Sequence, residues 1–232
     1  MAIGGLSDTY SFNPSLGELG LYAFGLCGIR RAELTQEHMW SMRVAANLLL
    51  QRWSGQTPNL WSVDLQTVTL VPGQTTYTVD PATVMILDAY VVQNPGVSQI
   101  NRLIMPISRS EYASFPQPQQ QGAITVYWFD RLLAPTITFY FSPDDTQTEV
   151  QYYRVRRSMD ANLVSGEQVE LPGYWLEAFA NGLGQRLATL WKPERAAGLK
   201  MLADESYEIA ASQNVEGANF YVSPMVAGYW RP

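Results

Sequence analysis

The residues that most often carry chemistry are scarce here: the chain has one histidine, His38, and one cysteine, Cys27. Cys27 falls inside the apolar stretch Leu19 to Ile29, which favours a buried thiol over an exposed nucleophile. With one of each, we expect neither a Ser-His-Asp nor a Cys-His relay, and no zinc site of the Cys/His type. Other constellations fail on their context. Gly182-Leu183-Gly184 gives part of a phosphate-binding fingerprint, but it lies in a helical pattern with no preceding strand and no third glycine, so it reads as close helix packing. Asp144-Asp145 follows Ser142-Pro143 after a strand and lacks the spaced acidic series of a calcium loop, so it reads as a turn. A glycoside hydrolase needs two carboxyl groups at a defined separation; Glu167, Glu170 and Glu177 read instead as surface and helix-start charges. The expectation is a non-enzymatic protein with no catalytic residue, no cofactor and no metal.

One basic aromatic cluster remains: Arg154, Arg156 and Arg157 with Tyr152 and Tyr153. On an alternating strand Arg154 and Arg156 share a face. Such a composition resembles a nucleic-acid platform, but 21 acidic against 15 basic residues leave a net charge of -6, and duplex binding needs clustered cations that displace counterions. The cluster therefore reads as a subunit interface or a set of internal ion pairs. Thirteen of the basic residues are arginine, Lys192 and Lys200 being the lysines, and seven Trp and thirteen Tyr accompany them. Arginine and aromatic rings are enriched at protein interfaces, where a planar fork and a rigid ring each lose little entropy. A Trp-rich core in an Arg-biased genome is the alternative.

The elements that must position these residues follow from periodicity. With 47% hydrophobic residues in 232, the chain can bury a substantial core. It shows no basic-then-apolar leader, and no run approaches the roughly 20 apolar residues that span a bilayer; a soluble, cytosolically made protein without a membrane anchor is expected. Leu16, Leu19, Tyr22, Ala23 and Leu26 predict a helix from about Leu16 to Cys27. Thr35 can cap a second helix, with Glu37 near its start, Met39, Met42, Ala46, Leu49, Leu50 and Trp53 on its apolar face, and Ser54-Gly55 at its end.

Between roughly Val63 and Arg157 the period becomes two, as in Val68/Leu70, Tyr77/Val79, Ile137/Phe139/Phe141 and Val150/Tyr152. Pro72-Gly73-Gln74 predicts a hairpin turn between Thr67 to Val71 and Thr75 to Val79, and a further strand runs from Val84 to Val92. Ser114 to Gly122 reads as an exposed loop between strands. Helical spacing returns after Glu170: Pro172 suits a first turn, followed by Leu176, Phe179, Ala180, Leu183, Leu187, Leu190 and Trp191. Pro193 opens a last helix to about Gln213, with Ala196, Leu199, Leu202, Ala203, Ile209 and Ala210 inward. The fold class is α+β: a helical bundle made from both ends of the chain, with an inserted antiparallel β-rich lobe. The divisions fall at 1–62, 63–158, 159–214 and an extended tail, 215–232. That tail carries Phe220, Tyr221, Met225, Tyr229, Trp230 and Arg231 and is poor in charge, so it is expected to order by burying its rings against another chain, the alternative being that it folds back on its own subunit.

Four stretches in order resemble the head-to-tail adaptor family of short-tailed bacteriophages, also called tail accessory or upper tail tubular proteins. They are Arg31 to Thr35 with Ala45 to Leu49 and Gln51 to Trp53, continued by Gly55 and Asn59 to Trp61; Val71 to Tyr77 leading to Ile86 to Tyr90; Pro106 to Tyr112, then Gly122 and Tyr127 to Arg131; and Leu171-Pro172 with Tyr174-Trp175 and Ala178 to Leu187. Between Tyr112 and Gly122, where the family has a short basic turn, this chain has a Pro- and Gln-rich loop. The resemblance implies a virion protein of the tail or neck, made in the host bacterial cytoplasm. It implies a ring, commonly a dodecamer, bound to the portal protein on one side and to a nozzle or tail tube protein on the other, with tail fibres as a further partner. DNA would pass through the lumen during ejection without being recognised. The tail residues 220, 221, 225 and 229–231 are the expected portal-binding set, and Arg154, Arg156 and Arg157 the expected subunit interface. The alternatives are a head-completion or connector protein of a long-tailed phage, and a carbohydrate-binding or glycan-cleaving tail module.

Overall fold

The structure, a computed structural model, describes residues 12–56, 60–93, 99–117, 119–164 and 166–215. The first helix, α1 (Leu16–Cys27), begins where Ser15 Oγ accepts the Glu18 N–H at 3.3 Å while Glu18 accepts the Ser15 N–H at 2.8 Å. This reciprocal capping satisfies two otherwise unpaired donors. Gly28, at φ 77°, ends it, in the left-handed conformation that glycine adopts without a Cβ clash.

Helix α2 (Gln36–Gln56) runs past the expected Ser54-Gly55 end by one residue. His38 takes the part that Glu plays in α1: the Thr35 N–H donates to its Nδ1 at 3.2 Å, and the Thr35 hydroxyl lies 2.7 Å from the same nitrogen. Its ring stacks on Trp191 and meets Phe24 edge-on. The histidine is thus a structural pin between three helices.

Seven strands follow: β1 (Val63–Thr69), β2 (Thr76–Thr78), β3 (Thr83–Gln93), β4 (Ile100–Pro106), β5 (Val126–Asp130), β6 (Thr136–Tyr140) and β7 (Gln147–Arg156). They form one curled sheet in the order β1-β7-β3-β4-β5-β6-β2. Two expectations need correction. The turn at Pro72-Gly73-Gln74 exists, with Gly73 at φ 84° and the Gln74 N–H donating to Val71 C=O, but β1 and β2 do not pair with each other. β1 pairs with β7 and β2 with β6, so the turn joins the two edges of the sheet. Tyr77 makes this workable, because its hydroxyl accepts the Val71 N–H at 2.8 Å and lies within hydrogen-bonding reach of the Val71 and Gln74 carbonyls.

The sheet is also not wholly antiparallel: β4 and β5 run parallel. A parallel pair needs a crossover rather than a hairpin, and here it contains a short helix, α3 (Arg109–Ser114), capped reciprocally by Ser108 and Glu111. The Ser114 to Gly122 loop therefore follows a helix rather than a strand. It is exposed along much of its length, yet Phe115 stacks on Tyr140, and the Tyr140 hydroxyl donates to Pro116 C=O at 3.1 Å.

After β7 come α4 (Leu176–Trp191), entered through a 3-10 turn at Gly173–Trp175, and α5 (Pro193–Gln213). Helix α4 packs against α1, α2 and α5, and nearly every residue from Leu176 to Gly184 is buried. The four long helices share one core, centred on Phe24, Met42, Leu50, Trp175, Phe179 and Leu183. The strands build a second core from Val91, Ile104, Tyr127, Ile137 and Phe139. Leu190, Leu202 and Ile209, expected inward, are exposed. For Leu202 and Ile209 the cause is the narrow contact of α5, which buries only Leu199, Ser206 and Ala210; in the last turn of α4 Ala188 is buried and Trp191 packs on His38, while Leu190 points away from both.

Candidate assembly surfaces

The end of β7 delivers Arg154, Arg156 and Arg157 to the junction between sheet and helices. Arg154, 4% exposed, donates from Nε and Nη2 to the two oxygens of Asp64 at 2.7 and 3.1 Å. Its Nη1 reaches Asp80 at 3.0 Å and Thr83 Oγ1 at 3.0 Å. The Arg154 guanidinium holds the Asp64 carboxyl below the usual carboxylate range. Asp80 is held low first by the Ala82 N–H and then by Arg154. Arg156 grips both oxygens of Glu170, lowering that carboxyl as well, and Glu170 also accepts the Met159 N–H at 2.9 Å. Arg157 donates to Pro81 C=O at 3.0 Å and is otherwise exposed. Arg154 and Arg156 therefore tie β7 to β1, to the turn before β3 and to the segment that enters α4.

Asp64, Asp80, Arg154, Arg156 and Arg157 line a cleft of about 530 Å³ together with Gln51 and Asp160. Its paired acids, Asp64 and Asp80, are both held below the usual carboxylate range, so neither is poised as a general acid at neutral pH. Among the described residues no three His, Cys, Asp or Glu side chains gather as a metal site would need. The Cys27 thiol is buried, donates to Gly184 C=O at 3.2 Å, and is pushed up to about 11 by its burial. A thiol so protonated is a packing group rather than a nucleophile. Gly182 and Gly184 lie within α4, facing Leu49 of α2 and Leu26 of α1 respectively.

A second surface lies on the outer face of the sheet. Leu65 on β1 stands opposite Tyr153 on β7. Beside Tyr153 the register of β3 shifts between Ile86 and Ala89, so two residues there, Leu87 and Asp88, oppose one on β7. Such a bulge re-aims side chains. On β4, Leu103 and Met105 flank the buried Ile104. Leu65, Tyr153, Leu87, Leu103 and Met105 are all exposed. They make an apolar strip across four adjacent strands, of the kind that marks an interaction surface when it is contiguous. Sequence reading missed this strip, although Leu103-Ile104-Met105 is apolar in both phases of the strand, which signals that both faces are covered.

The expected portal-binding residues Phe220, Tyr221, Met225, Tyr229, Trp230 and Arg231 lie outside the described residues. Residues carrying the sequence resemblance turn out to be architectural. The Asn47 side-chain amide donates to Ala161 C=O at 2.8 Å and accepts the Ala161 N–H at 2.9 Å, clamping the chain after β7 onto α2. Trp53 packs on Trp175, Phe179 and Tyr207, and Trp61 also meets Trp175. Among the described residues no helix is long and apolar enough to cross a membrane. Residues 30–228 match the family model described as SU10 adaptor protein. No curated protein matches the chain.

Proposed function

Because this chain belongs to the SU10 adaptor protein family, a family of structural adaptors in phage particles, we propose that it forms a ring between the portal and the distal tail. The ring is commonly dodecameric in the adaptors that this sequence resembles. In this reading the helices contributed by both ends of the chain form a bundle that makes the ring wall, and the β-rich part, 63–158, is a lobe facing the nozzle or tail tube protein. The tail, 215–232, docks on the portal. The DNA ejection channel runs through the lumen.

The observation that carries this reading is the exposed apolar strip Leu65–Tyr153–Leu87 with Leu103 and Met105. It lies on the β-rich part, whose core is distinct from that of the helices, which gives the chain a partner surface on its strands, as a two-sided adaptor needs. Arg157 is the exposed member of the arginine cluster, available to a subunit interface; Arg154 and Arg156 serve that interface by holding the shape of the junction.

Mass measurement of the purified chain, alone and mixed with its portal, tests the proposal. A complex with many copies of this chain per portal is expected. Deleting residues 220–232 should abolish portal binding and leave the unfolding midpoint of the subunit unchanged. Unaltered portal affinity in the truncated chain would remove the docking role of the tail, and failure of the full chain to bind the portal at any concentration would remove the adaptor reading itself.

A further inference from the structure

A groove of about 560 Å³ runs between α2 and α4. Trp40, Val44 and Leu48 form its α2 side and Leu190 its α4 side, and Trp40, Leu48 and Leu190 are 61%, 55% and 63% exposed. Arg52 and Arg186 line the same groove. Among the described residues neither arginine forms an ion pair, although both also line, with Asp204 of α5, a smaller adjoining cleft. Arg186 is partly buried, and both that burial and the neighbouring Arg52 charge disfavour its charged form. Two neighbouring guanidinium groups beside an apolar wall, with no acid in ion-pair contact, are unfavourable in an isolated subunit and call for an external carboxylate.

The same chain presents the complementary surface elsewhere. The outward face of α5 carries Met201, Leu202 and Ile209, all exposed. Glu205 and Glu208 lie among them at helical spacings of three and four, exposed and in no ion pair among the described residues. An apolar, cationic groove thus matches an apolar, acidic ridge in both character and sign. The segment 216–232 fits less well, since its one acidic side chain is Glu216.

Resting on the ring reading above, we infer that the α2–α4 groove of one subunit receives the outward face of α5 from a second copy, with Glu205 and Glu208 meeting Arg52 and Arg186. Groove and ridge are different surfaces, so the contact is heterologous, the kind that propagates around a ring. The exposure of Leu190, Leu202 and Ile209 follows, because these residues are covered in the assembly.

Charge reversal in the full-length chain tests this, read by sedimentation or native mass with and without the portal. Arg186→Glu and Glu205→Arg should each weaken self-association by roughly tenfold or more, as loss of a close interfacial charge pair does. Mixing the two variants should restore assembly, in rings whose subunits alternate. At every second contact the carboxylate introduced at position 186 then faces the guanidinium introduced at position 205, while the wild-type pairing survives at the contacts between. The double variant should assemble alone. If the wild-type chain never assembles, even with the portal, the ring reading and this interface both fall. If the wild type assembles and the single variants assemble equally well, only the groove assignment falls. Loss in the single variants without rescue on mixing also overturns the pairing and points to the tail or the portal as occupant of the groove.

Discussion

Arg154 shows how one side chain sets the junction. It carries the only buried guanidinium among the described residues, and two carboxylates and a hydroxyl hold it. Replacing it with Met keeps the volume and strands Asp64 and Asp80 beside each other. Removing one partner of a buried pair costs about 3–5 kcal/mol, but both acids are partly exposed and can rehydrate, so about 2 kcal/mol is expected from Arg154→Met in urea unfolding at neutral pH. The acid response should change with it. Asp64, Asp80 and Glu170 all have lowered folded values, so each stabilises the fold above the ordinary carboxylate range of about 4, and that contribution fades as pH falls through the lowered value. The wild type should lose stability between about pH 5 and 2, and Arg154→Met should lose less over the same window; equal losses would show that these pairs are energetically silent.

At the scale of elements, α4 is the helix on which the others depend. Its glycines let α1 and α2 approach: a Cβ on Gly182 would meet Leu49 at 3.0 Å, and one on Gly184 would meet Leu26 at 3.3 Å. Gly182→Val should therefore destabilise the chain by about 1–3 kcal/mol through overpacking, measured as a lower Tm, while Gly198→Val on the open face of α5 should cost no more than about 1 kcal/mol. The bounds of α1, α2 and α5 were legible because capping residues, prolines and helical spacing act locally. Helix α3 was legible too and passed unread, since Ser108 and Glu111 form a capping signature. The partners of β1 and β2 were not legible. A turn sequence dictates that the chain reverses, whereas the choice between a hairpin and two sheet edges depends on whether β7 and β6 compete for those strands.

The whole molecule is acidic, with a net charge of -6, and the proposed ring would need a lumen wall to which DNA does not adhere. The full-length protein should show no duplex-DNA binding at about micromolar concentration in roughly 0.15 M salt; tight, salt-sensitive binding in a filter or fluorescence assay would argue for recognition rather than passage. By itself the sequence determined the α+β class, the long helices and most strands, the buried thiol and the resemblance to phage adaptors, because periodicity, caps and residue order are local properties of the chain. Only the tertiary structure decided that Arg154 is sealed inside the subunit while Trp40, Leu48, Leu190 and Ile209 are left outside. A periodic apolar stripe shows that a face must be covered, but not whether the cover comes from the same chain. That depends on how α4 fills the space between its neighbours, and on α5 turning only a narrow edge toward it.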